Sequence, residues 1–189
     1  MSPAGSPDYL RHVDLRSVLP RSTATVTLRQ LAHGDAEAYA AGTADPDVRR
    51  FAHLPEPEYT PERVIDLMDT VLEEGLATGT LAVLAIADSP SDRFLGSLVV
   101  FDITPSSAEV GFWLAPDGRG RGAAGEALRL AADVARAGGL TVLRARTLTD
   151  NHASQRVLER AGFRPDAQPR PDVTPSGATA LVQTYSVTL

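Results

Sequence analysis

Apolar positions in this chain switch between strand and helix periods in an irregular order. Residues 25–31 alternate in strand fashion, and Asp35 caps a short helix ending near Gly42. Residues 45–57 read as a turn-rich acidic connection. Thr60, Pro61 and Glu62 open the next helix, with a threonine N-cap and proline at the first helical position. Val64, Ile65, Met68, Val71 and Leu72 form its predicted buried stripe, while Asp66, Asp69, Glu73 and Glu74 face water. Residues 81–87 and 94–103 predict two strands joined by the polar turn 88–92, and residues 107–115 a third. Pro116, Asp117 and Gly118 turn the chain out of that strand, and a helical period runs from Ala123 through Leu128, Ala131 and Val134. A strand over 141–148, a helix over 151–161 closed by Gly162, and a final strand over 180–188 complete the pattern. The proline-bearing stretch 165–175 reads as an ordered surface loop. Strands and helices mix without regular βα alternation, which predicts an α+β domain with a mixed, mostly antiparallel central sheet and flanking helices.

Between the third of these strands and the alanine-rich helix lies the run Arg119, Gly120, Arg121, Gly122, Ala123, Ala124, Gly125. Residues of almost no bulk, with two arginines, sit where the first N–H groups of a helix have no internal acceptor. Those groups and the helix dipole favour an anion. Gly120 and Gly122 permit close approach of a phosphate and positive φ. The loop therefore reads as a pyrophosphate cradle. A solvated basic turn capping an ordinary helix is the plainer alternative. Without Gly-Lys-Ser/Thr it is not a P-loop. Gly120, Gly122 and Gly125 match G-x-G-x-x-G, but the string lies past mid-chain. The following strand, 141–148, also lacks the acidic residue of a dinucleotide site.

A second segment runs Asp150-Asn151-His152-Ala153-Ser154-Gln155-Arg156-Val157-Leu158-Glu159-Arg160-Ala161-Gly162-Phe163. Taken together, the two segments resemble the acyl-CoA-binding core of the GNAT superfamily of N-acyltransferases. Arg119, Gly122 and Ala124 match its Arg/Gln-x-x-Gly-x-Gly/Ala loop. The second segment is similar to the Asn-x-x-Ser…Gly-Phe helix of the branch that includes ribosomal-protein N-terminal acetyltransferases. The start (Leu28-Arg29-Gln30-Leu31, Asp35, Asp45-Pro46-Asp47-Val48) and the ending Thr184-Tyr185-Ser186-Val187 resemble the same branch, so the likeness spans about residues 25–189.

The resemblance implies a GNAT fold with a splayed strand pair holding the pantetheine arm. It further implies acetyl-CoA as cosubstrate and direct acyl transfer to a primary amine, either a protein N-terminal α-amine or a small-molecule amine. Backbone groups of Leu114 and Ala115 would bond the arm, and residues 119–125 would hold the pyrophosphate. Asn151 would meet the pantetheine amides, and Ser154 would approach the sulfur in place of a tyrosine acid whose matching position holds Leu158. An N-cap at Asn151 and an ordinary helix-surface Ser154 are the structural alternatives. Glu109 is the candidate base. Strand alternation places it with Gly111 and Trp113 on one face, opposite Val110, Phe112 and Leu114. Desolvation by apolar neighbours would raise its pKa. An edge carboxylate facing solvent is its other reading. Tyr39, Phe51 and Tyr59 are candidates to line the acceptor pocket or to pack in the core.

Composition narrows the classes. A chain of 189 residues with 43% hydrophobic content can bury a real core, and no apolar run spans a bilayer. Residues 1–8 read as a flexible tail, and 9–189 as one catalytic domain in a cytoplasmic setting. With no cysteine there is no disulfide, thiolate metal site or cysteinyl acyl-enzyme. His12, His33, His53 and His152 lack metal-ligand spacing and read as surface residues, so no metal is expected. A net charge of −6 argues against nucleic acid as partner. Asp45, Asp47, Glu56 and Glu58 would suit a cationic acceptor. Dimerisation stays open, and a non-catalytic acyl-CoA-binding sensor is the alternative function.

Overall fold

The computed structural model describes residues 14–174 and 177–189. The expected N-terminal tail and His12 lie outside them. A single sheet organises the rest: β1 (Arg21–Ser22), β2 (Val26–Gln30), β3 (Ala82–Asp88), β4 (Phe94–Phe101), β5 (Ser107–Leu114), β6 (Val142–Leu148), β7 (Arg164–Pro165), β8 (Arg170–Val173) and β9 (Thr179–Thr188). Their order is β1-β2-β3-β4-β5-β6-β9-β7, with β8 also on β9. Every pairing is antiparallel except β5–β6. Parallel neighbours need a long crossover, and the 15-residue helix α5 (Ala123–Ala137) supplies it. The other helices are α1 (Ala36–Thr43), α2 (Pro46–Phe51), α3 (Pro61–Leu67), α4 (Glu73–Thr78) and α6 (His152–Arg160).

The two sheet faces carry different apolar clusters. Ala127, Leu128, Ala131 and Val134 of α5 pack with Leu84, Ile86, Leu98, Val110 and Leu143, and Leu158 and Phe163 extend this layer. On the opposite face Tyr39, Val48, Val64, Ala85, Phe94 and Trp113 form the second cluster beneath α1–α3. Period-2 alternation makes the separation: Leu84 and Ile86 point one way and Ala85 the other. Glu109 has the parity of Trp113, so it belongs to the second face.

Three expectations change. The stretch 45–57 contains α2, because Asp45 is an N-cap whose Oδ1 accepts from Asp47 N (3.2 Å) and Val48 N (3.1 Å), followed by Pro46 at the first helical position. The helix from Pro61 is interrupted by a π-helical segment over Met68–Leu72. Along this helix Val71 stays 52% exposed, and Ile65, Met68 and Leu72 are only partly covered. The loop expected at 165–175 holds β8, antiparallel to β9. Pro171 is tolerated there because β8 is an edge strand that needs no donor on its open side. No described helix is long and apolar enough to cross a membrane.

Gly42 marks a tight contact between α1 and the sheet. A Cβ there would stand 2.5 Å from Trp113 Cζ3 and 2.8 Å from Cη2. The indole has little room to yield, being wedged edge-on against Tyr39 (5.2 Å between centroids) and tilted on Phe94 (5.8 Å). Gly42→Ala should therefore destabilise by about 1–3 kcal/mol despite its gain in helix propensity. Gly34→Ala, where nothing lies within 4 Å, should change stability by less than about 0.5 kcal/mol. Urea denaturation of both variants checks the pair.

Candidate functional site

Pairing between β5 and β6 covers only Ser107↔Val142, Ala108↔Leu143 and Glu109↔Arg144. Beyond Glu109 the strands part, β5 staying on β4 as far as Leu114 and β6 on β9 as far as Leu148. Ala115 donates to Leu95 O (2.9 Å), and its carbonyl accepts from Gly118 N (2.9 Å). Both its backbone groups are thus used within the chain, unlike the expectation that they bond a ligand. Antiparallel alternation then turns the N–H and C=O of Leu114 and Phe112 away from β4, toward the gap. The Leu114 carbonyl already accepts from Arg119 Nε at 3.2 Å.

At the start of α5, Gly120 (φ 78°) and Gly122 (φ 79°) adopt the left-handed conformation that suits glycine, and Gly122 occupies the N-cap. No hydrogen bond among the described residues engages the N–H groups of Gly120, Arg121, Gly122, Ala123, Ala124 or Gly125. Nothing lies within 4 Å of a Cβ position at Gly120, Gly122 or Gly125. An open nest of unpaired donors at a helix N-terminus is what a phosphate group requires. Arg121 is exposed beside it. Arg119 points elsewhere, its guanidinium reaching Asp45 (2.5 Å) and Asp47 (3.2 Å) and so bracing the loop against α2. Burial works to raise the Asp45 carboxyl, but Arg119 and the Val48 N–H hold it below its ordinary value. Glu126, one turn into α5, accepts from Thr23 and Thr25 Oγ1, tying the helix start to the β1–β2 hairpin.

Glu109 sits where the strands part, and β5 is an interior strand rather than an edge. Its Oε1 accepts from Arg146 Nε at 2.7 Å, and Arg146 also reaches Asp172 of β8 at 3.3 Å. Burial pushes the Glu109 carboxyl above its ordinary value, against the opposing pull of Arg146. For Arg146, burial disfavours the charge, but Glu109 and Asp172 outweigh it and raise its pKa. Sequence reasoning singles out neither Arg146 nor Asp172. The available signal is two arginines, Arg144 and Arg146, on one face of an interior strand; Arg146 is partly buried and needs a partner, while Arg144 is exposed and meets Ser107 Oγ at 3.1 Å.

On α6, Asn151 is the N-cap, its Oδ1 accepting from Ser154 N at 3.1 Å. Within the described residues nothing bonds the Asn151 amide nitrogen or the Ser154 hydroxyl. Gln155 fixes the helix start by donating to the carbonyls of Leu148 (3.3 Å) and Thr149 (3.0 Å). Leu158 is 1% exposed and belongs to the α5-side core, whereas Val157 faces the cavity one turn beyond Ser154.

These parts share one cavity of about 870 Å³. Arg119, Gly120, Ala124, Asn151 and Ser154 line it beside Glu109 and Arg146, and so do Tyr39, Phe51, Tyr59 and Trp113. His53 lines it as well and is not a surface residue. Its Nε2 is shut from solvent with no partner among the described residues, and burial lowers its pKa. His33 is exposed and 2.7 Å from Asp69, and His152 is exposed. The acids expected to greet a cation are largely occupied: Asp45 and Asp47 by Arg119, Glu56 by Arg63 at 2.7 Å, with Glu58 outside the cavity. Among the described residues no group of three or more His, Asp or Glu side chains is placed to hold a metal ion.

Comparison with known proteins gives a consistent picture. The family model "Acetyltransferase (GNAT) domain" matches residues 25–164. No curated protein matches the sequence. Among solved structures, ribosomal-protein-S5-alanine acetyltransferase from Vibrio fischeri superposes with a TM-score of 0.75 at 18% identity, covering 90% of this chain and 96% of its own. RimJ of Mycobacterium smegmatis, solved with CoA-disulfide, gives 0.72 at 22% identity over 86% and 81% of the two chains. Spermidine N-acetyltransferase from Vibrio cholerae, solved with CoA and spermine, gives 0.72 at 16% over 88% and 96%.

The Glu109–Arg146 pair predicts a signed pH effect. Folded Glu109 holds its proton to higher pH than the unfolded chain does, so stability falls as pH rises from the ordinary carboxylate value through the folded one. Arg146→Gln removes the opposing charge and widens that window. The Glu109 carboxyl should titrate higher than in the wild type, read by carbon-13 NMR of the side chain, and the fall in stability should extend to higher pH.

Proposed function

Because the chain belongs to the GNAT acetyltransferase family, we propose that this cavity carries an acetyl group from acetyl-CoA directly to a primary amine. The observation that carries the proposal is the meeting of two features in one cavity: free helix N-terminal donors over residues 120–125, and a strand gap that opens at Glu109.

The cradle binds the pyrophosphate through main-chain N–H groups, with Arg121 adding solvent-screened charge. Arg119 contributes by bracing the loop from α2 rather than by direct contact. The arm then runs along the gap, where Leu114 and Phe112 present backbone groups and Asn151 offers its side-chain amide nitrogen. Alignment of donor and acceptor supplies much of the rate. Glu109, held at Arg146, takes the amine's proton through a water. Burial raises its pKa toward the operating range, which suits a base. The amine nitrogen attacks the thioester carbonyl, the C–S bond breaks, and the sulfur leaves as thiolate. Ser154 donates a hydrogen bond to it, a positioning contribution smaller than full acid catalysis. Transfer needs no acyl-enzyme, in keeping with a chain without cysteine.

Two substitutions test this reading. Gly122→Val places a branched side chain at φ 79° over the open nest and should abolish saturable acetyl-CoA binding by calorimetry. Wild-type affinity in a folded variant would remove the cradle from the account. Glu109→Gln should keep acetyl-CoA affinity and slow amine-dependent thiol release by about 100-fold or more with an alkylamine. The loss should be smaller with an α-amine, whose pKa of about 8 leaves more of it neutral. Undiminished single-turnover rates would exclude Glu109 as the base.

A further inference from the structure

Every carboxylate that lines the cavity has an arginine partner. The lining acids are Asp47, Glu56 and Glu109, and the lining arginines are Arg119, Arg63 and Arg146. Each of these acids meets one of these arginines, at 3.2, 2.7 and 2.7 Å, and each arginine also reaches a second carboxylate that does not line the cavity: Asp45, Asp66 and Asp172. An ammonium group entering the cavity would find each lining carboxylate already engaged by a guanidinium group.

The rest of the wall is aromatic and aliphatic. Tyr39 packs on Tyr59 (5.7 Å between ring centroids) and edge-on to Trp113 (5.2 Å), and these rings face the cavity from the same cluster as Val64 and Leu54. Across from them the π-helical segment turns Val71 and Leu72 to the cavity, leaving Val71 52% exposed. Both belong to the stripe that the sequence marks for burial, and Val71 is the member of it that the described elements leave exposed. Among the described residues, His53 Nε2 is buried here without a partner, in a ring whose pKa burial lowers.

We infer that the acceptor is a primary amine borne on an aromatic or aliphatic body, the arylalkylamine class, rather than a polyamine or a cationic peptide. The apolar body would lie against the Tyr39–Tyr59–Trp113 cluster and the Val71–Leu72 wall, with the amine toward Glu109. This inference rests on the acetyl-transfer reading and deepens it.

The test is an acceptor series with acetyl-CoA, followed by thiol release: 2-phenylethylamine, ethanolamine, spermidine, and a peptide beginning with alanine and rich in lysine. Burying one phenyl ring predicts a kcat/KM for 2-phenylethylamine about 10- to 100-fold above ethanolamine, and above both polycations. Val71→Glu adds an unpaired acid at an already exposed position. It should cut the 2-phenylethylamine value about tenfold and raise that for spermidine. Preference of the wild type for spermidine or the peptide, with ready turnover, overturns the inference and leaves acetyl transfer standing. If no amine releases thiol, calorimetry of 2-phenylethylamine on the CoA-saturated protein decides separately. Saturable binding weakened by Val71→Glu supports the apolar acceptor site while transfer falls; no binding overturns both.

Discussion

Three residue pairs hold β5 to β6 before the pairing stops, and the working parts of the molecule depend on that stop. Had the strands stayed paired, the backbone groups of Phe112 and Leu114 would be consumed in the ladder and no gap would lead inward. Both strands remain secured after parting because each has another neighbour, β4 for β5 and β9 for β6. The separation therefore costs the sheet little, since its ladder continues on both sides. Glu109 lies in the last pair before the gap, so its carboxylate is fixed by regular structure while standing next to open space.

Electrostatics in the cavity follows from how the strands place opposite charges. Arg146 on β6 faces Glu109 on β5 and Asp172 on β8, so three strands contribute to one chain of charges. Partial burial keeps these pairs from being screened as exposed ones are. Arg119 plays a comparable role at the other end, joining the cradle loop to the first turn of α2. In each case an arginine that sequence alone would assign to a ligand, or leave without a role, spends its charge on a carboxylate of the protein.

Much of this is legible in the sequence because the signals are local. The strands over 82–88, 94–101 and 107–114, the cradle glycines and the Asn151 cap are each set by a few adjacent residues. Where structure and sequence part, the deciding interaction is distant or a local signal is masked by its surroundings. Asp45-Pro46 is a helix start that reads as a turn when the acidic surroundings dominate. β8 forms because β9 offers it an edge, a fact invisible at residues 165–175. Motif matching sets Leu158 at an active-site position, yet helix phase sends it to the core and brings Val157 to the cavity. The Glu109–Arg146 contact, 37 residues apart, depends on the parallel register set by α5.

Helix α5 meets the sheet largely through alanines: Ala123, Ala127, Ala131 and Ala135 are each buried in that interface. A methyl group is the shortest spacer a chiral residue offers, so the helix axis rides close to the strands, and its height is fixed by backbone more than by side chains. The free N–H groups at residues 120–125 ride with it, while Glu109 and the gap belong to the sheet. The stripe of methyls is thus a gauge block between the loop over residues 120–125 and the strand gap, the two features on which the proposed function rests. Thickening it by even one or two carbons would lift that loop relative to Glu109, and on the proposed function would detune the reaction from residues that touch neither substrate.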